Sequence, residues 1–384
     1  MERQTFAICM SIDKVKGEKI EIGIQAPESA TSSGLGAAQG YAIITAEGAD
    51  FEEALRILAT TTPYPLNFCQ LRLCLIGYEL AATTELHGLL RGLERLPTIR
   101  TSSFVMVAIG SALDVMSAQK PDFGMRMSTH LNLLFERLRD ENMLPYSTIA
   151  SVVRELADHR RDPLLCLAAI NPKKPEEKQQ NQNQDAGGSG GGESGGSGGE
   201  SGGGSGSTGE GASSAFATQV EGGDGTTSGE LSESSDDSGT SSAFAVGEPW
   251  NDLQLPSNLI AGLTPKTSSN PVEYLGAAVV NNGRVAGYLD ARETQLTLET
   301  LAKAELSVAM DGDKIQLQIF VESGTELESE SDKLKLIMER LQLMGCDALG
   351  FGGICAQAFY LDTDLIKYDF KHKYQEAEVV IAPM

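Results

Sequence analysis

Cysteine and histidine are the residues of this sequence whose chemistry can be judged from spacing. No C-x-x-C pair occurs, and no cysteine has a histidine at the spacing of a zinc site. Three cysteines lie inside apolar runs, where a thiol behaves as a small hydrophobic side chain. We therefore predict buried free thiols and no metal site, with a disulfide between Cys346 and Cys355 left open as an alternative. The six cysteines are Cys9, Cys69, Cys74, Cys166, Cys346 and Cys355.

Motifs that would carry catalysis are missing from the sequence. It contains no G-x-S-x-G elbow, no P-loop and no H-E-x-x-H pair. The Gly-rich tract at residues 187–223 lacks the following lysine, strand and helix of a phosphate cradle. We therefore predict no catalytic, cofactor-binding or metal-binding residue and a protein that is not an enzyme. The alternative is a hydrolase whose Ser, His and Asp side chains meet only in the fold. The histidines are scattered, at His87, His130, His159 and His372.

The segment from Asp347 to Gly352 places glycines on both sides of Phe351. Such glycines could line a ligand pocket. A tight turn after a helix explains them better, because glycine adopts the left-handed backbone conformation that ends many helices.

The net charge of -23 excludes some classes of partner. Residues 176–249 carry about half of this charge, and no segment has the basic surplus that binding to nucleic acid phosphates requires. An acidic surface is also repelled by anionic lipid headgroups. Attachment to a membrane would therefore need an anchor or a protein partner.

The first 171 residues alternate between strand and helix patterns. Strands are predicted where apolar residues alternate, and helices where they recur at helical spacing. The helix that begins after Asp50 has the start signal of a capping box, with Glu53 three residues later. The predicted strands cover residues 4–12, 19–25, 41–45, 71–76 and 104–108, and the other helices cover residues 79–95, 127–139 and 148–158.

Residues 172–249 are rich first in Lys, Glu and Gln and then in Gly and Ser. Too few apolar side chains are present to offset the entropy of ordering, so we predict a disordered linker. A flexible chain of this length has an end-to-end distance of roughly 45 Å. The segment Ser213–Ala217 recurs at Ser241–Ala245; we interpret this as duplication within a drifting repeat, and a docking motif is the alternative.

Two further domains are predicted after the linker. A hairpin around Asn282-Gly283 indicates a small β-rich middle domain at residues 250–301. Residues 302–384 form a C-terminal domain with strands at 304–310, 315–321 and 378–381 and helices at 331–343 and 356–370. The predicted fold class is therefore α+β, with mixed or antiparallel sheets and packed helices in two or three domains, the first at 1–171, and with a long disordered Gly/Ser linker.

Five short segments, in the same order along the chain, resemble the Ger(x)C family, the C subunits of spore germinant receptors. Each segment alone is a weak match, but the five together cover both parts of the chain outside the linker. They are Ile76–Ala81 within Gln70–Ala81, Val107–Ala112 within Arg100–Ala112, Arg161-Asp162-Pro163, Gly287–Asp290, and Asp347 with Gly350-Phe351-Gly352.

The resemblance implies a non-enzymatic lipoprotein that works without a cofactor in nutrient-triggered germination. It would assemble with membrane-embedded receptor subunits at the outer face of the spore inner membrane. We take Tyr288, Asp290 and Phe351 as candidate partner-contact residues. Family members begin with an apolar signal and a lipid-accepting cysteine, whereas Cys9 here lies within a predicted strand. The alternative function is a free soluble module, derived from this family, that binds a ligand or a peptide.

Overall fold

The computed structural model describes residues 4–27, 40–121, 125–158, 160–171, 270–311, 314–359 and 370–383. The chain divides into two units, and the described residues all belong to the unit formed by Met1–Glu177 and Leu253–Met384. The other unit, Lys178–Asp252, lies outside the described residues. The predicted linker and its repeated Ser-Ser-Ala-Phe-Ala segment therefore fall outside the part of the chain that the structure describes.

Most strands of the described residues belong to one mixed sheet of eight strands, in the order β10-β9-β8-β7-β6-β2-β3-β4. Two smaller sheets have the orders β1-β5 and β11-β12-β13. The strands are β1 (Thr5–Phe6), β2 (Cys9–Val15), β3 (Lys19–Pro27), β4 (Tyr41–Gly48), β5 (Leu66–Asn67), β6 (Leu73–Gly77), β7 (Phe104–Ala108), β8 (Leu164–Ile170), β9 (Val272–Asn281), β10 (Arg284–Leu289), β11 (Glu305–Asp311), β12 (Lys314–Val321) and β13 (Glu378–Pro383).

The helices of the described residues cover both faces of the large sheet and pack on the small C-terminal one. They are α1 (Phe51–Thr61), α2 (Tyr78–Thr83), α3 (Leu86–Glu94), α4 (Ala112–Ala118), α5 (Met127–Asp140), α6 (Ile149–Asp158), α7 (Ala291–Lys303), α8 (Glu326–Ser329), α9 (Ser331–Leu343), α10 (Phe351–Ala358) and α11 (Phe370–Gln375).

The centre of the large sheet is parallel: β2, β6, β7 and β8 run in the same direction. Strands β3 and β4 extend it antiparallel on one side, and β9 and β10 do so on the other. Parallel strands need crossover helices, which cover both faces of the sheet. The apolar residues of β6 show this arrangement, since Cys74 and Ile76 face one core while Leu73 and Leu75 face the other.

The C-terminal elements form a third core against the end of the large sheet. In β12, Ile315, Leu317 and Ile319 are buried at alternate positions, as expected for a strand with one covered face. The same core includes Ala277 of β9 and Leu289 of β10. Strands β9 and β10 therefore join the C-terminal elements to the first 171 residues.

The predicted α+β class with mixed sheets is confirmed, but three predicted elements differ in their grouping or bounds. The hairpin assigned to a separate middle domain at residues 250–301 pairs with β8 and so extends the N-terminal sheet. The single helical stretch predicted at residues 79–95 forms two helices, α2 and α3, with a break at Thr84. The helix predicted at 356–370 begins earlier, at Phe351, and ends at Ala358; residues 360–369 lie outside the described residues.

Candidate functional site

A crevice lies at the carboxyl ends of β6 and β7, where the chain leaves the two neighbouring strands in opposite directions. After β6 the chain enters α2, whose Leu80 belongs to the core on one face of the sheet. After β7 it enters α4, whose Val115 belongs to the core on the other face. Open parallel sheets bind ligands at such topological switch points, because the diverging connections leave a gap between them.

The crevice has a volume of about 480 Å³, within the range of small-molecule sites. Its walls come from the ends of β2 and β3, from the start of α2 and from the turn between β7 and α4. The lining combines acidic, aromatic and aliphatic side chains. The lining residues are Asp13, Lys14, Val15, Glu21, Gly77, Tyr78, Glu79, Leu80, Ile109, Gly110 and Ser111.

Asp13 forms the floor of the crevice and is 7% exposed. Its carboxylate accepts hydrogen bonds from the backbone N–H groups of Ala112, at 2.7 Å, and Leu113, at 2.8 Å. The hydroxyl of Ser111 donates a third, at 3.3 Å. Burial raises the pKa of Asp13, and these hydrogen bonds partly lower it again. Asp13 therefore ties β2 to the start of α4 with both of its oxygens.

Gly77 lies directly against this carboxylate. A Cβ atom at position 77 would lie 2.1 Å from Asp13 Oδ1, a distance that no side chain tolerates. The glycine of the Ile76–Ala81 segment is therefore needed because Asp13 occupies the space beside it.

Two segments that are far apart in the sequence interlock at the start of α10. The N–H group of Asp162 donates to the carbonyl of Asp347 at 3.0 Å, and the N–H group of Asp347 donates to the Asp162 carboxylate at 2.9 Å. The Arg161 guanidinium donates to the carbonyl of Ala348 at 2.9 Å. The amine of Lys371 lies 3.3 Å from Asp162 Oδ1 and completes the junction.

Asp347 is buried at this junction and caps the start of α10. Its carboxylate accepts from the backbone N–H groups of Gly350 and Phe351, both at 2.9 Å, and of Gly352 at 2.6 Å. Burial raises the pKa of Asp347 to about 6; these hydrogen bonds lower it and the neighbouring Asp162 raises it. Gly350 has a φ of 82°, in the left-handed region that favours glycine. The expected tight turn is therefore present.

The three candidate partner-contact residues mainly serve the fold. Phe351 is fully buried in the C-terminal core, so its ring cannot contact a partner. Asp290 caps α7 by accepting from the N–H group of Glu293 at 2.7 Å. Tyr288 is partly buried, and its carbonyl accepts from Arg340 at 3.0 Å. Of these residues only Tyr288 and Asp290 keep any surface for contact.

The cysteines of the chain are all free thiols, and Cys69 is the exposed one. Cys346 and Cys355 are both buried and are not joined. Burial raises the pKa of the Cys74 thiol to about 12 and raises those of Cys9 and Cys166 as well. Such thiols are poor nucleophiles at neutral pH because the thiolate is the reactive form.

Histidines and carboxylates do not converge on a metal-binding arrangement. His130 Nε2 lies 3.5 Å from the side-chain nitrogen of Asn270, and His87 Nδ1 lies 3.8 Å from a Glu85 oxygen. Within the described ranges, no group of three or more His, Cys, Asp or Glu side chains is placed to hold a metal ion. His159 lies outside the described residues. No helix in the described part of the chain is long and apolar enough to cross a bilayer.

Comparison with protein families identifies the N-terminal part of the chain. Residues 1–170 match the family model described as "Spore germination protein N-terminal domain". The N-terminal domain belongs to this family. The predicted resemblance to the Ger(x)C proteins is therefore confirmed over residues 1–170.

The other comparisons add less to this assignment. A solved structure titled "Crystal Structure of the GerBC protein" aligns with 100% of this chain and 98% of its own chain, at 11% sequence identity and a TM-score of 0.45. A score of this size does not establish a shared fold, so the family assignment rests on residues 1–170. No curated protein matches the sequence.

The family-like segments now have locations in the structure. Ile76–Ala81 and Val107–Ala112 supply Gly77, Tyr78 and Ser111 to the crevice. The interlocked junction is formed by two other segments, Arg161-Asp162-Pro163 and the turn at Asp347. Asp13, which forms the floor of the crevice, was not predicted from the sequence. Its only signal was a charged residue at a buried position of an alternating strand.

Proposed function

We propose that this chain is a non-enzymatic subunit of a spore germinant receptor, needed for nutrient-triggered germination through assembly with membrane-embedded partner subunits. The observation that carries the proposal is the match of residues 1–170 to the spore germination N-terminal domain. The sequence motifs beyond residue 170, at Gly287–Asp290 and at Asp347, support extending the family role to the C-terminal elements.

The hydrogen bonds of the two buried aspartates support a structural role for these residues rather than a catalytic one. Asp13 and Asp347 are the kind of buried carboxylates with raised pKa that often serve as general acids or bases. Here the carboxylate oxygens of both accept backbone N–H groups that start a helix. Moving a proton to a substrate would break these contacts, so we assign both residues to the fold.

We place the protein at the outer face of the spore inner membrane. The charge of -23 does not favour contact with anionic headgroups, so protein partners or a lipid anchor would hold it there. An anchor and a partner contact together give more lasting attachment than either alone.

Purification from spore membranes tests the assembly. The full chain, carrying an affinity tag, is expressed in its native spores, and detergent-solubilised membranes are purified after a high-salt wash. Multi-span membrane proteins are expected to copurify at a fixed ratio, because an assembly held by apolar contact survives salt that screens surface charge. Membranes from untagged spores are the control. Recovery in the soluble fraction without partners would instead favour the free ligand- or peptide-binding module.

A further inference from the structure

We propose that the crevice at the carboxyl ends of β6 and β7 binds a small organic cation, an ammonium compound with a compact apolar body. This proposal is independent of the assembly with receptor subunits. It rests on the position, the size and the charge of the crevice.

The position of the crevice follows from the topology of the sheet. The helices that follow β6 and β7 lie on opposite faces, so these two helices diverge from the gap between the ends of the strands. Ligands of open parallel sheets bind at such a gap. The turn after β7 also keeps the gap open, because Gly110 has a φ of 85° and carries no side chain.

The size and the aliphatic lining suit a compact organic molecule. The volume of about 480 Å³ exceeds what a single metal ion or water needs. Val15, Leu80, Ile109 and the ring of Tyr78 supply apolar surface. A smaller cleft of about 190 Å³ shares Ile109, Gly110 and Ser111 with the crevice and continues the apolar lining to Ile170.

The charge of the lining favours a cation. Asp13, Glu21 and Glu79 are acidic, and Asp114 lines the adjoining cleft. Lys14 is the basic residue of the lining, but its amine pairs with Glu18 at 2.9 Å. Burial raises the pKa of Glu21, and so do the carboxylates of Asp13, Glu47 and Asp114. A bound cation would relieve this repulsion between carboxylates.

An ammonium group fits this lining better than a metal ion. Asp13 and Glu21 are paired across β2 and β3, whereas Glu79 lies on α2, and within the described residues no three acidic side chains are grouped as metal ligands. Because Asp13 is occupied by backbone N–H groups, Glu21 and Glu79 remain to face a ligand. An ammonium group needs only one or two carboxylates, and an aromatic ring such as that of Tyr78 attracts it further.

Titration with a matched pair of probes tests the proposal. Phenethylamine and its neutral analogue 2-phenylethanol are added to the full chain, and binding is followed by calorimetry or by NMR chemical shifts. We expect saturable binding of the amine in the millimolar range or tighter, and much weaker binding of the alcohol. Equal binding of both probes, or no saturation by the amine, would overturn the proposal.

Two variants locate the binding in the crevice. Glu21→Gln removes one carboxylate of the lining, and we expect the dissociation constant of the amine to rise roughly tenfold, the effect of one charge lost at a partly buried site. Glu52→Gln changes an exposed carboxylate on α1 and is expected to leave binding unchanged. Thermal unfolding of both variants shows that each is folded. Equal affinities in the two folded variants would contradict binding at the crevice.

Discussion

Asp162 and Asp347, 185 residues apart in the sequence, are joined by two hydrogen bonds: the N–H group of Asp162 donates to the carbonyl of Asp347, and the N–H group of Asp347 donates to the Asp162 carboxylate. Asp162 lies just before β8, the last parallel strand of the large sheet, and Asp347 lies in the turn that precedes α10. This pair therefore links the two parts of the chain that lie on either side of residues 172–269.

Replacing Asp347 by alanine is expected to destabilise the protein by about 3 kcal/mol, because three backbone N–H groups at the start of α10 lose their acceptor. Urea unfolding followed by circular dichroism measures the change. Asp332→Ala is the matched control: Asp332 is an exposed aspartate in the first turn of α9, and its loss should cost less than about 1 kcal/mol. Equal losses in the two variants would remove the special role of Asp347.

The pKa of Asp347 also predicts a dependence of stability on pH. Because the folded-state pKa of about 6 exceeds the ordinary value of 3.8, the folded chain holds this proton more tightly than the unfolded chain. The contribution of Asp347 to the free energy of unfolding is therefore largest below pH 4 and falls as the pH rises to 6. The fall should be on the order of 3 kcal/mol.

Asp347→Asn isolates this contribution, since the amide does not titrate and keeps one acceptor oxygen. Free energies of unfolding of both proteins are measured between pH 4 and 7. The natural protein should lose stability relative to the variant as the pH rises. Parallel pH profiles would show that the carboxyl of Asp347 titrates alike in the folded and unfolded chain.

Gly77→Ala should destabilise the protein by about 1 to 3 kcal/mol, because its Cβ atom would overlap the Asp13 carboxylate. Gly88→Ala is the control. Gly88 lies within α3 with open space around it, and alanine there should stabilise the helix by up to about 1 kcal/mol. Thermal denaturation compares the two variants. Shifts of the same sign would contradict the tight contact between Gly77 and Asp13.

Thiol labelling checks the burial of the cysteines. One thiol per chain, that of Cys69, should react rapidly with a disulfide reagent under native conditions, and all six should react after denaturation without a reductant. Mass spectrometry identifies the labelled site. Only four labelled thiols in the denatured chain would mean that Cys346 and Cys355 form a disulfide after all.

The sequence patterns predicted some elements with the bounds that they have in the structure. Phe104–Ala108 and Ser331–Leu343 have the predicted bounds as β7 and α9. Strand β8, Leu164–Ile170, is buried on both faces like β7 but was missed, because periodicity alone does not distinguish a continuous apolar run in a strand from a buried helix segment. Helix α7 was missed because Thr294, Thr297 and Thr300 lie on its buried face, where the pattern requires apolar residues.

The crevice and the interlocked junction were harder to predict than the helices and strands, because their contacts join distant residues. Asp13 meets the N–H group of Ala112 across 99 positions, and no local pattern encodes such a contact. A signal for α7 was present, since Asp290 and Glu293 form a capping box. The family-like segments were recognised, but only the fold separates those that line the crevice from those that form the junction.

The most direct test of the role in germination is the germination rate of spores that lack this protein. The gene is deleted in a strain with no second gene of the family, and the loss of refractility is followed after nutrient addition. We predict that deletion spores fail to respond or respond far more slowly, and that a restored copy of the gene recovers the rate. An unchanged nutrient response in the deletion spores would contradict the assignment as a receptor subunit.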